Sequence, residues 1–321
     1  MSRLTSFAVA LAAALLSTFA CAQAWPARPV KIIVPLSTGS ASDTLTRIVA
    51  QKLSEMWGQP VVVENQPGAN GIPGTLGVVR AAPDGYTLVT MSTNHVVNAT
   101  LYTKLPFDTL KDLRPIGRVG FTPLLLCVHP SVPATNMIEL IALAKAKPGK
   151  LNFGSAGSGS PTHLAGEMLK TAAGIDIQHV PYKAVSQAQT DLLGGQLDML
   201  FVVPSFAMQH MSAGKLRAVG VGSLKRMPQL PQVPTIDESG VPGFASLPWI
   251  GLAGPAGLPD AIVDKISGDV IKILAMPDVQ ERINALGLVA DGMPAKEFTE
   301  YVAQEQAKWG KTVKESGAHQ D

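Results

Sequence analysis

Val30-Lys31-Ile32-Ile33-Val34 runs straight into Pro35-Leu36-Ser37-Thr38-Gly39-Ser40-Ala41-Ser42-Asp43. A short β-type run is followed by a turn of small residues and then by a helical pattern, Ala41–Trp57. In that pattern Leu45, Ile48, Val49 and Leu53 recur on one face. The same order returns about 120 residues later, where Leu151–Phe153 leads into Gly154-Ser155-Ala156-Gly157-Ser158-Gly159-Ser160-Pro161-Thr162-His163. Ser160 followed by Pro161 is the arrangement of an N-cap with proline at the first helical position. Neither turn contains lysine or arginine. A turn of this kind exposes unpaired backbone N–H groups beside the positive end of a helix dipole, which suits an anion. Two such turns in one chain argue for two lobes gripping one small acid.

Outward from these turns, β runs and helical patterns alternate. Pro60–Glu64, Tyr86–Met91, Phe121–His129, Ile177–Val180, Leu197–Val203 and Leu216–Val221 read as extended. Asn136 and Glu139 form a capping box before a helix stopped by Pro148-Gly149. The alternation predicts an α/β fold with parallel sheets covered on both faces. Between Met227 and Trp249 five prolines interrupt regular structure and predict a stiff connection. Helices are expected beyond it over Pro259–Ala275, Pro277–Leu286 and Ala295–Ser316, the last with Phe298, Tyr301, Val302, Trp309 and Val313 as a core stripe.

The chain has 321 residues, 46% hydrophobic and 16% charged, with a net charge of +2, so it can bury two ordinary cores. Basic residues are dispersed, which argues against a nucleic-acid partner. Residues 1–24 have the grammar of a signal peptide: Arg3, the apolar stretch Phe7–Phe19, and an A-x-A site that places cleavage between Ala24 and Trp25. Periplasmic export is the expectation. Cys21 then leaves with the leader, unless a lipid-anchored form keeps it as first residue, although Thr18 stands where leucine is usual. Cys127, in an apolar run, reads as a core residue. No cofactor or metal is expected: the second turn lacks the lysine of a P-loop, its glycines leave the dinucleotide fingerprint incomplete, and the six histidines lack ligand spacing. No G-x-S-x-G elbow supports Ser155 or Ser158 as a nucleophile with His163, so no catalytic residue is assigned.

A series of ordered segments carries a resemblance. Gly58-Gln59-Pro60-Val61-Val62-Val63-Glu64-Asn65, Ala82-Pro83-Asp84-Gly85-Tyr86-Thr87-Leu88, Pro148-Gly149-Lys150-Leu151-Asn152, His179-Val180-Pro181-Tyr182-Lys183 and Leu193-Gly194-Gly195-Gln196-Leu197-Asp198 are among them. With the two turns, they resemble the Bug-type extracytoplasmic solute receptors, the TctC-like substrate-binding subunits of tripartite tricarboxylate transporters. The resemblance implies a Venus flytrap like the type II periplasmic binding proteins: two α/β lobes joined by crossover strands, with a carboxylate in the cleft. It implies one discontinuous lobe from 25–123 plus 247–321 and a second from 124–246. Ligand capture through both turns, by backbone amides, hydroxyls and water, is part of what it implies. So are permease subunits as partners and a monomeric state.

On this reading the ligand-binding candidates in the first turn are Leu36, Ser37, Thr38, Gly39, Ser40, Ala41 and Ser42, with the amides of Thr38 to Ser42 as donors. Asp43 is expected to order the turn. Ser92, Thr93, Asn94 and His95 end a strand, where α/β sheets place ligands. Ser155, Ala156, Gly157, Ser158, Ser160, Thr162 and His163 are the second-turn candidates, with Tyr182, Lys183, Val185 and Val203 as further wall. Leu36, Ser40, Val185 and Val203 depart from the family's usual pattern, and no carboxylate is placed to meet an ammonium, so an acid without a charged amine is expected. Two rivals share the sequence: a sensor of the same fold that reports to a kinase, and a secreted α/β hydrolase or transferase.

Overall fold

Val30, Ile32, Ile33 and Val34 are buried, as a strand covered on both faces requires, and only Lys31 reaches solvent. This strand, β1 (Val30–Val34), lies between β2 (Val61–Asn65) and β3 (Thr87–Ser92), parallel to both. The computed structural model describes Trp25–Gln320; the predicted leader, its cleavage site and Cys21 lie outside the described residues. The remaining strands are β4 (Leu113–Phe121), β5 (Leu125–Val128), β6 (Asn152–Ser155), β7 (Gln178–Pro181), β8 (Met199–Val202), β9 (Arg217–Val221), β10 (Trp249–Pro255) and β11 (Val289–Pro294).

They form two sheets, ordered β11-β4-β10-β3-β1-β2 and β7-β6-β8-β5-β9. The expectation of parallel sheets needs correction, because both are mixed. β10 runs antiparallel to β3 and β4, and β5 runs antiparallel to β8 and β9. These reversals arise where the chain passes between sheets, since a strand arriving by a short crossover enters against the direction of its neighbours.

The registers bring the two sheets together at the ends of their strands. Trp249 pairs with Phe121 and Ile250 with Ser92, so the crossovers meet the first sheet at the carboxyl end of β3. Leu125 pairs with Val202 and Val221, so they enter the second sheet at the carboxyl end of β8. The two crossovers run side by side, with the Thr122 amide donating to the Pro248 carbonyl at 2.9 Å. Five helices begin at this meeting line: α1 (Ala41–Trp57) after β1, α3 (Thr93–Leu101) after β3, α5 (Pro161–Ala173) after β6, α6 (Val185–Leu193) after β7 and α7 (Pro204–Ser212) after β8. A shorter helix, α2 (Ile72–Val79), precedes β3, and α4 (Met137–Ala146) precedes β6.

Separate apolar cores cover each sheet. α1 packs on the first sheet with α8 (Asp260–Leu274) and α9 (Pro277–Ala285), through Leu45, Ile48, Val263 and Ile283. The other face takes α10 (Ala295–Ser316), whose Phe298, Val302, Trp309 and Val313 are buried as the predicted stripe requires. Glu305 is buried beneath it and accepts from the Nε1 groups of Trp249 and Trp309 at 3.1 and 2.7 Å, tying the C-terminal helix to β10. Phe153, Leu126, Met199 and Phe201 belong to the core of the second sheet, and Cys127 is fully buried there with its thiol pushed up to about 12 by burial.

Candidate functional site

The two turns are built alike. Gly39 (φ +80°) and Gly159 (φ +75°) occupy the left-handed region, which a non-glycine residue adopts only at a cost of about 1–2 kcal/mol. Each is followed by an extended serine N-cap: the Ser40 Oγ accepts from the Asp43 amide at 3.2 Å and the Ser160 Oγ from the His163 amide at 3.3 Å. Each glycine amide is taken by the side chain four residues on. Gly39 donates to the Asp43 carboxylate at 2.9 Å, and Gly159 donates to the His163 Nδ1 at 3.1 Å. Asp43 also accepts from Arg47 Nε and Asn65 Nδ2, both at 2.9 Å, so it orders the turn as expected.

This scaffolding consumes much of the predicted donor set. In the first turn the amides of Gly39 and Ser40 are engaged, the latter with the Ser37 carbonyl. In the second, the amide of Ala156 donates to the Thr162 Oγ1, that of Gly157 to the Ser155 Oγ and that of Ser160 to the Gly157 carbonyl. A signal for this existed in the sequence: an acceptor side chain four residues after the glycine can reach back to its amide. Among the described residues, the amides of Ala41, Ser42 and Thr162 at the first turns of α1 and α5 keep no protein acceptor.

Those three residues line one cavity of about 210 Å³ between the sheets, together with Leu36, Ser92, Thr93, Asn94, Ala156, Val185 and Val203 from the predicted set. Thr122, Leu124, Pro161, Pro248, Trp249 and Ile250 line it too. Sequence reading missed these six, which come mostly from the crossovers and reach the cavity through long-range strand register. No lining residue carries a charge. The Thr93 Oγ1 accepts from the Trp249 amide at 3.0 Å, which leaves its proton to give. Ser92 stands at the N-cap of α3 beside the His95 amide without meeting it in a hydrogen bond. Its Oγ and that of Thr122 are buried with no partner. Leaving a buried hydroxyl unpaired costs about 1–3 kcal/mol, and both of these hydroxyls keep a proton to donate on the cavity wall.

The other predicted residues stand outside this wall. Ser37, Thr38 and Lys183 are exposed, Ser158 is half-buried beside the cavity, and the Tyr182 hydroxyl is spent on Asp191 at 2.7 Å. His95 accepts from the Ser92 amide through Nδ1 at 3.1 Å, which puts its proton on Nε2, 3.0 Å from the Thr75 Oγ1. His163 spends its Nδ1 on Gly159, so it is no base for Ser155. The Ser155 Oγ instead meets the His179 Nε2 at 2.6 Å in the interior.

Burial pushes His95 down to about 4. It does the same to His163, helped by nearby His179 and Lys170, and to His179, helped by Lys170. The unfolded chain binds protons at these imidazoles below about pH 6.5, while the folded chain resists until about pH 4. Stability is therefore expected to fall with pH through that window, by about 2 kcal/mol at pH 5 from His95 alone. Urea melts at pH 7 and pH 5 should show the loss, and His95→Asn should show a smaller one. An identical loss in His95→Asn would remove the imidazole from the account.

The profile of the family described as tripartite tricarboxylate transporter family receptor matches residues 45–318. The chain belongs to this receptor family. Among curated relatives, BugT of Bordetella pertussis is 34% identical over 299 residues, which is 92% of this receptor and 92% of BugT. Among solved structures, a Rhodopseudomonas palustris protein with adipate superposes with a TM-score of 0.83 at 31% identity, covering 92% of this receptor and 99% of that chain. MatC of Rhodopseudomonas palustris, with bound malate, gives 0.78 at 30% identity, covering 90% and 100%. The two-sheet architecture is that of the Bug and TctC solute-binding proteins.

Proposed function

We propose that the receptor captures a small organic acid in the periplasm and delivers it to the permease subunits of a tripartite tricarboxylate transporter. The observation that carries the proposal is the uncharged cavity at the junction of the sheets, where unengaged amides of Ala41, Ser42 and Thr162 meet the partnerless hydroxyls of Ser92 and Thr122. Hydrogen bonds to a charged group contribute about 1.5–3 kcal/mol each, so three or four donors offer about 5–12 kcal/mol. After the cost of fixing the ligand, that supports micromolar affinity, near −8 kcal/mol. Neighbours that hold adipate and malate support the carboxylate class.

The donors come from both sheets, so all of them reach one carboxylate only when 25–123 plus 247–321 and 124–246 close as two lobes. Binding then shifts an open–closed equilibrium by the difference in affinity, and the closed monomer is the form a permease would recognise. A thermal-shift screen of the mature chain with mono-, di- and tricarboxylates tests the reading. An acid at a hundredfold excess over its Kd stabilises by about 2.7 kcal/mol, or about 5 °C in a domain pair of this size. Native mass spectrometry should weigh one acid per chain. A panel in which no acid raises the melting temperature would overturn the proposal.

A further inference from the structure

We infer that Gln320 is a positioning residue for capture: reaching over from the first sheet, it fixes the peptide plane that aims the start of α5 at the cavity. The inference deepens the receptor reading above and rests on it. Gln320 is itself firmly placed beyond the end of α3. Its backbone amide donates to the Leu101 carbonyl at 2.9 Å, and its Oε1 accepts from the Tyr102 hydroxyl at 2.8 Å. Tyr102 is steadied in turn by Asn70, whose Nδ2 lies 3.4 Å from the phenol oxygen. With Oε1 taken by the phenol, the side-chain nitrogen faces the other way and donates to the Ser158 carbonyl at 3.0 Å.

The Ser158 carbonyl and the Gly159 amide belong to one planar peptide unit. His163 Nδ1 takes the amide at 3.1 Å from within α5, and Gln320 takes the carbonyl from the other sheet's side, so the plane is clamped at both ends. Gly159, at φ +75°, is the freest backbone link of the turn, and the clamp sits directly on it. Thr162, whose unengaged amide faces the cavity, is three residues on. A tilt of the clamped plane therefore swings that amide relative to those of Ala41 and Ser42. The first turn is built alike but lacks this brace: among the described residues, no group donates to the carbonyl of Thr38, the equivalent of Ser158. Only the turn that has to be placed against the opposite sheet carries a bridge to it.

Gln320→Glu tests this, because its carboxylate still accepts from Tyr102 and its amide still meets Leu101, while the donor to Ser158 is lost at neutral pH. Calorimetric titration with acetate, benzoate, malate, adipate and citrate selects the tightest-binding probe. At pH 8 the Kd for that probe should be about fivefold or more weaker in Gln320→Glu, from one lost hydrogen bond and a carboxylate set against a carbonyl. Lowering the pH to 5 protonates the introduced carboxyl and restores an O–H donor, so the ratio of variant to wild-type Kd should at least halve. Tyr102, pushed up by burial, and His163, held down to about 4, do not titrate between these values. His319, exposed next to Gln320, is common to both proteins and cancels in the ratio. Gln320→Ala should weaken binding about 2- to 10-fold with a ratio that does not move with pH. An unchanged Kd in Gln320→Glu at pH 8, or a loss as flat with pH as that of Gln320→Ala, would overturn the inference and leave the receptor reading standing. If no acid of the set binds the wild-type chain, both readings fall together.

Discussion

Replacing Ala41 by proline is expected to weaken capture of the acid about 10- to 150-fold while leaving stability unchanged or slightly raised. The expected loss is one hydrogen bond to a charged group, about 1.5–3 kcal/mol. Folding should tolerate the change because Ala41 is the first residue of α1, where proline is pre-organised and the lost N–H has no intrahelical partner. Ser40 already has φ −64° and ψ 160°, the extended geometry that a residue before proline prefers. Pro161 occupies the corresponding place in α5. Calorimetric titration with the acid that gives the largest thermal shift, alongside a urea melt, separates the two effects. Unchanged affinity in a stable Ala41→Pro protein would mean that the α1 amide does not touch the ligand.

Gly159→Ala should be worse than Gly157→Ala, although both glycines have positive φ, +75° and +101°. The backbone penalty of about 1–2 kcal/mol is common to the two. A Cβ at Gly157 would come no nearer than 3.4 Å to another atom, the Tyr182 carbonyl oxygen, whereas one at Gly159 would lie 2.3 Å from the Leu101 Cδ2. Leu101 is buried at the end of α3 on the other sheet's side, so this contact is where the two halves approach. The Gln320 side chain bridges the same gap, accepting from the Tyr102 hydroxyl at 2.8 Å and donating to the Ser158 carbonyl at 3.0 Å. Overpacking of this sort costs about 1–3 kcal/mol beyond the backbone term. The expected result is an affinity loss about 5- to 150-fold greater in Gly159→Ala than in Gly157→Ala. Equal losses would show that the halves need not meet at Leu101 for binding.

Strand–turn–helix units were legible where local chemistry decides them. The run Val30–Val34, its glycine turn and α1 follow from apolar spacing and capping, and α10 spans Ala295–Ser316 as its stripe predicts. β10 was not legible. Trp249-Ile250-Gly251-Leu252-Ala253-Gly254-Pro255 is buried throughout, so it has no alternation, and it follows a proline-rich stretch. Its partners, β3 and β4, lie more than a hundred residues earlier, and only their edges make it a strand. α3 was hidden for a similar reason: Ser92 both ends β3 and caps the helix, so the polar group Ser92-Thr93-Asn94-His95 reads as a strand end.

The site was half legible on the same grounds. Both turns and the end of β3 declare themselves by composition, and they do reach one cavity. Sequence could not say which amides were spent internally, because that depends on Asp43 and His163 folding back on their own turns. Nor could it bring Thr122 and Trp249 to the wall, since crossovers are defined by the sheets they leave and enter.

Amides from helices on opposite sheets are expected to bind the same carboxylate. Backbone 1H–15N spectra of the mature chain, titrated with the most stabilising acid of the panel, address this directly. Large downfield proton shifts are expected for the amides of Ala41, Ser42 and Thr162, all saturating together at one equivalent. Shifts confined to one of the two turns, or all three amides unmoved while the acid binds elsewhere, would contradict it.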